Sequence, residues 1–354
     1  MDLLRQSGPT TEHTGKYLLA NDPKPNNANA AVPAETEPNT TKEEVLLLTA
    51  GHVPYSKAAD VYPSSLSCPL PPLPCSFYGH ETFVTSDPTP LVATCGGNCN
   101  KIESACYVLD LENQRWDENR MGSLTRGRWY GALAQLKDIG VYYIGGSDNE
   151  KTGADRTSDF LATGSLQWQP GPALPIMMQD FCAVAISPTS FLTVFRNKIH
   201  EFDASIAGPT SDQGWRQSTR WPTLKTSRWG QPGCAKIGSK VIITGGSNGR
   251  KLRSTEILDL ASRTLSIGGD MAWPRIHFKL ATLKIGGRDT VLALGGLSAK
   301  PGIERALTFK DSMFIDTVEE WLEETSSWKE AESLSRKMRF YGLATLPAEL
   351  ICPS

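Results

Sequence analysis

The stretch VYYIGGSDNEKTGADRTSDFLATGSLQW (Val141–Trp168) contains the three signals that decide the fold. An apolar run ends in a Gly pair at Gly146, and a second run, SDFLA, follows at Ser158–Ala162. Trp168 stands six residues beyond the end of that second run. Short apolar runs bounded by Gly and turn residues predict β-strands. The stretch therefore predicts successive strands of one small sheet, with the Trp as a large apolar filler.

The same apolar run recurs along the chain at nearly constant intervals. Its copies end at Gly51, Gly97, Gly146, Arg196, Gly246 and Gly296, so the steps are 46, 49, 50, 50 and 50 residues. A run with an acidic residue follows in phase, as in CYVLD (Cys106–Asp110) and EILDL (Glu256–Leu260). Each unit closes with a turn and a small-residue strand, as in RIHFKLATL. A repeat of this length predicts stacked units, because one small sheet cannot bury both of its faces alone.

This pattern resembles the kelch repeat, in which an apolar strand ends in Gly-Gly and an acidic strand and a Trp follow at set offsets. The resemblance covers residues 45–348 and implies an all-β, six-bladed kelch β-propeller. The repeats lie at about 45–89, 90–138, 139–188, 189–238, 239–288 and 289–348. The first unit has Ala50-Gly51 and no Trp, the fourth has no Gly pair, and the fifth has Leu265 in place of Trp. The first and fourth blades are therefore the least certain.

The two ends of the repeat region predict how the ring closes. The chain enters at what should be the second strand of a blade, EVLLLTAG, and ends with RFYGLATLP, which matches the innermost strand of other units. We therefore expect Arg339–Pro347 to close the ring in the first blade, since an open ring leaves sheet edges bare. Residues 1–44 are poor in large apolar side chains and predict a disordered tail. Residues 349–354 are expected to form a C-terminal tail.

Charge and composition limit the class of partner. Lys and Arg number 36 and Asp and Glu number 38, so the net charge of −2 gives no reason to expect nucleic acid or an anionic membrane surface. No apolar run reaches the length of about 18 residues that a membrane-spanning helix needs. The roughly 44 residues before the repeats are too few for the dimerising BTB domain of many intracellular kelch proteins. We expect a monomer that binds a protein or peptide.

The sequence favours binding over catalysis. None of the five histidines forms the H-x-x-x-H pair of a helical zinc site. Galactose oxidase is a copper enzyme among kelch propellers, and its ligand set cannot be placed on this chain. We therefore expect an interaction module without a cofactor. The alternative is a propeller enzyme that acts on a small molecule or carbohydrate, with or without a metal.

The turns that lead into the innermost strands supply the candidate binding residues. Propeller loops at one end converge on a central pocket, and loops tolerate the variation that recognition needs. The predicted partner-binding residues are Tyr78, His80, Arg126, Arg128, Trp129, Gln179, Asp180, Arg228, Trp229, Arg275, His277, Arg339 and Tyr341.

Arginine recurs in four of these six turns, next to aromatic or apolar residues. Several guanidinium groups at one mouth favour an anionic ligand, so the prediction is an acidic peptide or loop. Two tryptophans would serve as rigid anchors. The loops 98–104, 147–157, 247–254 and 297–312 are expected to set specificity. The alternative is that an individual arginine only bridges neighbouring blades.

The eight cysteines give the last set of expectations. Cys95 ends one strand and Cys106 opens the next, and adjacent antiparallel strands can bring two Cα atoms within disulfide range. Cys99 is a competing partner, and Cys68 with Cys75 is another pair. The remaining cysteines of the innermost strands, Cys182 and Cys234, are expected to be buried free thiols.

Localisation signals conflict. The first residues lack the apolar core of a signal peptide, which predicts a cytoplasmic protein. The cysteine placement and the sequon Asn39-Thr40-Thr41 favour an extracellular protein, if the N-terminus is incomplete.

Overall fold

The chain folds into six sheets that form the blades of a six-bladed β-propeller, as the repeat predicts. The computed structural model describes residues 43–51, 56–85, 89–148, 154–216, 218–300, 303 and 311–352. These residues lie in one compact unit, Thr41–Ser354. The expected disordered tail, apart from its last two residues, lies outside the described ranges. No helix within those ranges is long and apolar enough to cross a membrane.

The strands of the described ranges are short, and each blade pairs them antiparallel. They are β1 (Glu44–Thr49), β2 (Ala59–Tyr62), β3 (Tyr78–Val84), β4 (Val92–Asn98), β5 (Cys106–Asp110), β6 (Arg115–Asp117), β7 (Ala132–Leu136), β8 (Gly140–Ile144), β9 (Ser158–Ala162), β10 (Gln169–Pro170), β11 (Cys182–Ala185), β12 (Ser190–Phe195), β13 (Lys198–Asp203), β14 (Gly233–Ile237), β15 (Lys240–Thr244), β16 (Thr255–Asp259), β17 (Thr264–Gly268), β18 (Lys279–Ile285), β19 (Arg288–Leu294), β20 (Leu297–Ala299), β21 (Ser312–Phe314), β22 (Val318–Leu322), β23 (Ser327–Ala331) and β24 (Gly342–Pro347). One short helix, α1 (Ala204–Ala207), follows β13.

The blades run inside to outside in the order of their strands. Blade 1 is β24-β1-β2, blade 2 is β3 to β6, blade 3 is β7 to β10, and blade 4 is β11 to β13. Blade 5 is β14 to β17, and blade 6 is β18-β19-β22-β23, with β20 and β21 as a separate hairpin. Each sequence repeat is therefore offset from a blade. The repeat 45–89 supplies two strands of blade 1 and the innermost strand of blade 2.

The C-terminal strand closes the ring, as expected. β24 pairs antiparallel with β1 over its whole length, from Glu44 opposite Pro347 to Thr49 opposite Gly342. The chain ends therefore share one sheet. Beyond β24 the segment 349–352 is packed rather than a free tail: Ile351 is 1% exposed and Cys352 is disulfide-bonded to Cys68.

The two units with the weakest repeat pattern are the blades with three strands among the described residues. Blade 1 shows no fourth strand in the part of the chain that the structure describes. The carbonyl of Pro71, in the segment after β2, accepts a hydrogen bond at 3.0 Å from Trp116 Nε1 of blade 2. In blade 4 the fourth strand is reduced to a single bridge between Phe202 and Trp215. Blade 5 keeps four strands although Leu265 replaces the Trp.

The core lies between neighbouring blades. Leu46 and Leu48 of blade 1 pack with Leu292 and Leu294 of blade 6, and all four are essentially unexposed. The Gly pairs are needed where the end of a second strand lies close to the segment that leads into the innermost strand. Gly146 has a φ of +89°, and a Cβ there would lie 2.5 Å from the carbonyl oxygen of Trp129. Only glycine is compatible with both conditions.

All eight cysteines are joined in four disulfides: Cys68–Cys352, Cys75–Cys99, Cys95–Cys106 and Cys182–Cys234. Cys95 and Cys106 face each other on β4 and β5, as considered from the sequence. The expectation of free thiols at Cys182 and Cys234 is wrong, because the innermost strands of blades 4 and 5 bring their Cα atoms to 5.9 Å. The Cys68–Cys75 pairing is also wrong.

Candidate functional site

One face of the propeller carries the segments that lead from the end of each blade to the innermost strand of the following blade. We call these segments the entry turns: residues 77–80, 128–131, 178–181, 228–231, 275–278 and 338–341. The same face, called the entry face, carries the connections between the second and third strands. The two sets touch through backbone bridges such as Trp129 with Ser147 and Trp229 with Ser247.

The entry turns are held together by a closed ring of backbone hydrogen bonds. Six residues occupy equivalent positions with left-handed φ of +52° to +68°, and they are called the ring residues: Gly79, Tyr130, Asp180, Gly230, His277 and Phe340. In the ring, N–H groups donate to carbonyls of the neighbouring turn, at 3.0 Å from Tyr130 to Gly79 and 2.9 Å from Gly79 to Phe340. At blade 5 the donor toward Asp180 is Gln231, at 2.9 Å, and Gly230 accepts from His277 at 3.0 Å.

Aromatic side chains of the ring residues fill the centre of the entry face. The His277 and Phe340 rings are stacked with centroids 3.9 Å apart, and Phe340 lies 4.7 Å from Tyr130. Burial lowers the pKa of His277, and the nearby Arg339 charge adds to that shift. The axis is therefore covered by packed rings rather than by a row of cationic groups.

Three arginines occupy the position two residues before a ring residue, and all three are completely buried. Arg128 pairs with Asp159 at 2.6 Å, Arg228 with Glu256 at 3.0 Å and Arg275 with Glu319 at 2.7 Å. The Nη1 atom of each also donates to the carbonyl of the first Gly in a Gly pair, at 2.8–2.9 Å. The side chains at the equivalent position of the other turns are Phe77, Met178 and Met338, which are equally buried.

The acidic partner comes from the third strand of the blade: it is the second residue of that strand in blades 1, 3, 5 and 6 and the fourth residue in blade 4. In five blades this residue is acidic and binds an arginine side chain; the additional pairs are Asp60 with Arg336 and Glu201 with Arg220, both at 2.6 Å. In blade 2 the position is Tyr107. The carboxylate also accepts backbone N–H groups of the preceding loop, as Glu256 does from Lys225 at 2.7 Å. In these five blades an ion pair therefore holds the arginine-bearing segment against its blade.

These contacts correct the expectation that the gathered arginines attract an acidic partner. The guanidinium groups of Arg128, Arg228 and Arg275 are 0% exposed and already neutralised by buried carboxylates. Burying a charge is unfavourable unless it is paired, and the pairing uses the donors that a ligand would need. The bridging role considered for individual arginines is the one these three residues have.

Three further predicted residues are buried and serve the fold. Nε2 of His80 lies 2.9 Å from Thr49 Oγ1 and 3.0 Å from the backbone N of Gly342, and burial lowers its pKa to about 3. The Tyr341 hydroxyl donates to the carbonyl of Leu294 at 2.6 Å. Arg339 is 5% exposed and lies over the Phe340 ring. These side chains cannot contact a partner without rearrangement.

The remaining predicted residues are partly exposed. Tyr78, Gln179 and Asp180 lie at or beside ring positions, and burial raises the pKa of Asp180 to about 7. Arg126 is half-exposed but forms ion pairs with Asp148 and Asp155.

Trp129 and Trp229 occupy equivalent places but differ in exposure. Trp129 is 9% exposed, because the Tyr130 ring stacks on it at 4.3 Å and Tyr78 packs edge-on at 5.6 Å. Trp229 is 54% exposed. Its neighbour at the ring position is Gly230, and the guanidinium of Arg196 supports the indole at 4.8 Å.

Blade 4 leaves Trp229 open because its connection on this face is short. Only Arg196 and Asn197 join β12 to β13, whereas residues 245–254 join the corresponding strands of blade 5. Two exposed apolar side chains, Ile176 and Met177, stand just before the preceding entry turn, at 39% and 60% exposure. Sequence reasoning identified Trp229 but missed these two residues.

No group of three or more His, Cys, Asp or Glu side chains within the described ranges is arranged to hold a metal ion. No family model matches the chain, and no curated protein matches it. The geometry therefore establishes a six-bladed propeller, and kelch membership stays a prediction from the repeat.

Proposed function

We propose that this kelch-type propeller is a protein-interaction module whose partner docks on the entry face around Trp229. The observation that carries the proposal is the exposure of this indole, 54%, in a position where the equivalent Trp129 is covered. Exposed tryptophans supported by a rigid backbone are typical binding hot spots.

The surroundings of Trp229 support this assignment. Its backbone exchanges two hydrogen bonds with Ser247, at 2.8 and 2.7 Å, so the indole is presented by a fixed loop. Its Nε1 donates to Ser227 Oγ at 3.1 Å, and Arg196 lies against the ring. Little conformational entropy is then lost when a partner covers it. Ile176 and Met177, just before the preceding entry turn, are two further exposed apolar side chains.

A photo-crosslinking experiment tests the proposal. Trp229 is replaced by the photoreactive amino acid p-benzoylphenylalanine, and the protein is irradiated in an extract or fluid from its source. The matched control carries the same group at Ile285, which is 46% exposed at the end of β18 on the opposite face. We expect a discrete crosslinked protein from position 229 that is absent from position 285. Identical patterns from both positions would contradict the proposal.

We also propose that the protein works in an oxidising compartment, which favours the extracellular assignment. The support is the pairing of all eight cysteines into four disulfides, because reducing conditions in the cytosol keep thiols unpaired. The native source protein, denatured without reductant after its free thiols are blocked, should give no thiol titre, and eight thiols after reduction. A full thiol titre before reduction would contradict this.

A further inference from the structure

A cavity opens on the entry face between blades 5 and 6. Its walls are the connection 248–254 of blade 5, the start of the entry turn at Pro274, and the β20–β21 hairpin at Ala299. Its volume is about 640 Å³, which is large enough for several side chains of a peptide.

The cavity is lined by basic groups. Arg250, Lys251 and Arg253 all line it, and Asp270 is the one acidic residue among its described lining residues. Asp270 Oδ2 accepts from Arg253 Nε at 3.0 Å, and both side chains are about half-exposed. The Arg250 side chain is exposed, and no hydrogen bond or ion pair to a described residue holds its guanidinium. Arg250 and Arg253 are therefore exposed to solvent, unlike the three buried arginines of the entry turns, which pair with internal carboxylates.

Lys251 has a different part in the same cavity. Its side chain is 9% exposed, and Nζ donates to Ser312 Oγ of β21 at 2.7 Å. It therefore ties the blade 5 connection to the blade 6 hairpin. The two arginines project from a loop that this contact holds in place.

The cavity adjoins the loop that carries Trp229, since Thr226 of that loop is among its lining residues. Ser247 is bonded through its backbone to Trp229 on one side and forms a bridge with Lys251 on the other. The aromatic anchor and the basic cavity are therefore neighbours on the entry face, joined through the backbone of the blade 5 connection.

We infer that this cavity binds an acidic peptide segment of the partner, with carboxylates on Arg250 and Arg253. The inference rests on the proposed function and names the chemistry of its ligand. Guanidinium groups bind carboxylates through paired hydrogen bonds, which a planar carboxylate matches in shape and charge. A sulfated glycan is the less suitable occupant, because it needs a long basic stripe, whereas these cations lie in one cavity beside an aromatic anchor.

The test measures binding of a fluorescein-labelled hexaglutamate peptide by fluorescence anisotropy at low salt. The variant is Arg250→Ala with Arg253→Ala. The matched control removes two exposed arginines from the opposite face, Arg115→Ala with Arg288→Ala, whose side chains are 57% and 59% exposed. All proteins are compared by thermal melting, so that a folding defect is recognised. An unlabelled heparin hexasaccharide and hexaserine serve as competitors.

We expect wild type and control to bind hexaglutamate equally and the Arg250/Arg253 variant to bind at least about tenfold more weakly. Binding should weaken as salt is added. Equal binding by variant and control, or no binding by wild type, would overturn the inference. So would a heparin hexasaccharide that binds more tightly than hexaglutamate and loses its binding in the same variant. If the protein crosslinked at position 229 binds the variant normally, the inference fails and the proposed function stands.

Discussion

Two entry turns of this propeller contain the same dipeptide, Arg-Trp, at equivalent positions. Arg128 and Arg228 behave identically: each is buried, pairs with an acidic residue of the third strand, and donates to the first glycine of a Gly pair. The tryptophans that follow them do not. Trp129 is 9% exposed and Trp229 is 54% exposed.

The difference arises from two residues around each Trp, one in its own turn and one in the preceding turn. Tyr130 and Tyr78 cover Trp129, whereas Gly230 and Gln179 occupy the corresponding positions beside Trp229. The position of the arginine side chain is set by its own blade, because its acidic partner lies on the third strand of that blade. The exposure of the tryptophan is set by the residue that follows it and by the preceding entry turn. The repeat pattern therefore predicts the buried ion pairs well and the exposed binding residues poorly.

The largest expected effect is a loss of stability when the buried arginine of the Arg-Trp dipeptide is replaced. Arg228→Ala leaves the Glu256 carboxylate buried without its cation, and removing one partner of such a pair costs about 3–5 kcal/mol. Chemical denaturation should show a loss of that order in the free energy of unfolding. The pair Arg228→Met with Glu256→Gln should lose less, because Met already fills this position at Met178 and Met338. A loss below about 1 kcal/mol for Arg228→Ala would show that the buried pair does not fasten the turn.

Replacement of the two tryptophans should lower the free energy of unfolding by different amounts in the same assay. Trp129→Ala removes a packed indole and should lower the free energy of unfolding by about 3 kcal/mol. Trp229→Ala removes a side chain that is largely in water and should change it by less than about 1 kcal/mol. Equal losses for both variants would mean that Trp229 is part of the core and that the contrast between the turns is wrong.

Asp180 lies between the two turns in the ring and should give a smaller, pH-dependent effect. Its amide donates to the carbonyl of Tyr130 at 3.0 Å, and its carbonyl accepts from Gln231 at 2.9 Å. Burial raises the pKa of the Asp180 carboxyl from 3.8 to about 7. The neutral form therefore stabilises the fold, and its contribution is full below pH 3.8 and lost as the pH rises through about 7.

Asp180→Asn tests this effect, since Asn also tolerates the left-handed φ of +54°. The variant should gain stability relative to wild type as the pH rises from about 4 to about 8. Taking the difference between the two proteins removes the opposite contribution of His80, whose lowered pKa is the same in both. A difference that stays constant with pH would contradict the shifted pKa.

The sequence was sufficient to predict the ring of six blades because the repeat is periodic and local. It also identified the two weak units, which are the three-stranded blades. The disulfide between Cys68 and Cys352 could not be predicted, because its cysteines are 284 residues apart and meet only after the ring has closed. The Cys182–Cys234 bridge likewise joins two different blades.

The candidate site was less accessible to sequence reasoning. The sequence placed the entry turns on one face correctly, but it did not show whether each arginine side chain points into the protein or into solvent. A signal was present: Asp159, Glu256 and Glu319 each follow an Arg-bearing turn at the same strand position. Matching turn arginines with strand acids would have assigned these residues to the interior. The exposure of Trp229 depends on Gly230, on Gln179 of the preceding turn and on the short connection of blade 4, and the repeat pattern fixes none of these.

The most direct test of the account measures affinity of the partner recovered by crosslinking at position 229. Calorimetry would compare wild type, Trp229→Ala and the control Ile285→Ala, with thermal melts of all three. We predict that Trp229→Ala weakens binding by about 2 kcal/mol, or roughly thirtyfold, with a nearly unchanged melting temperature, while Ile285→Ala binds as wild type does. Wild-type affinity in Trp229→Ala would contradict the claim that this indole anchors the partner.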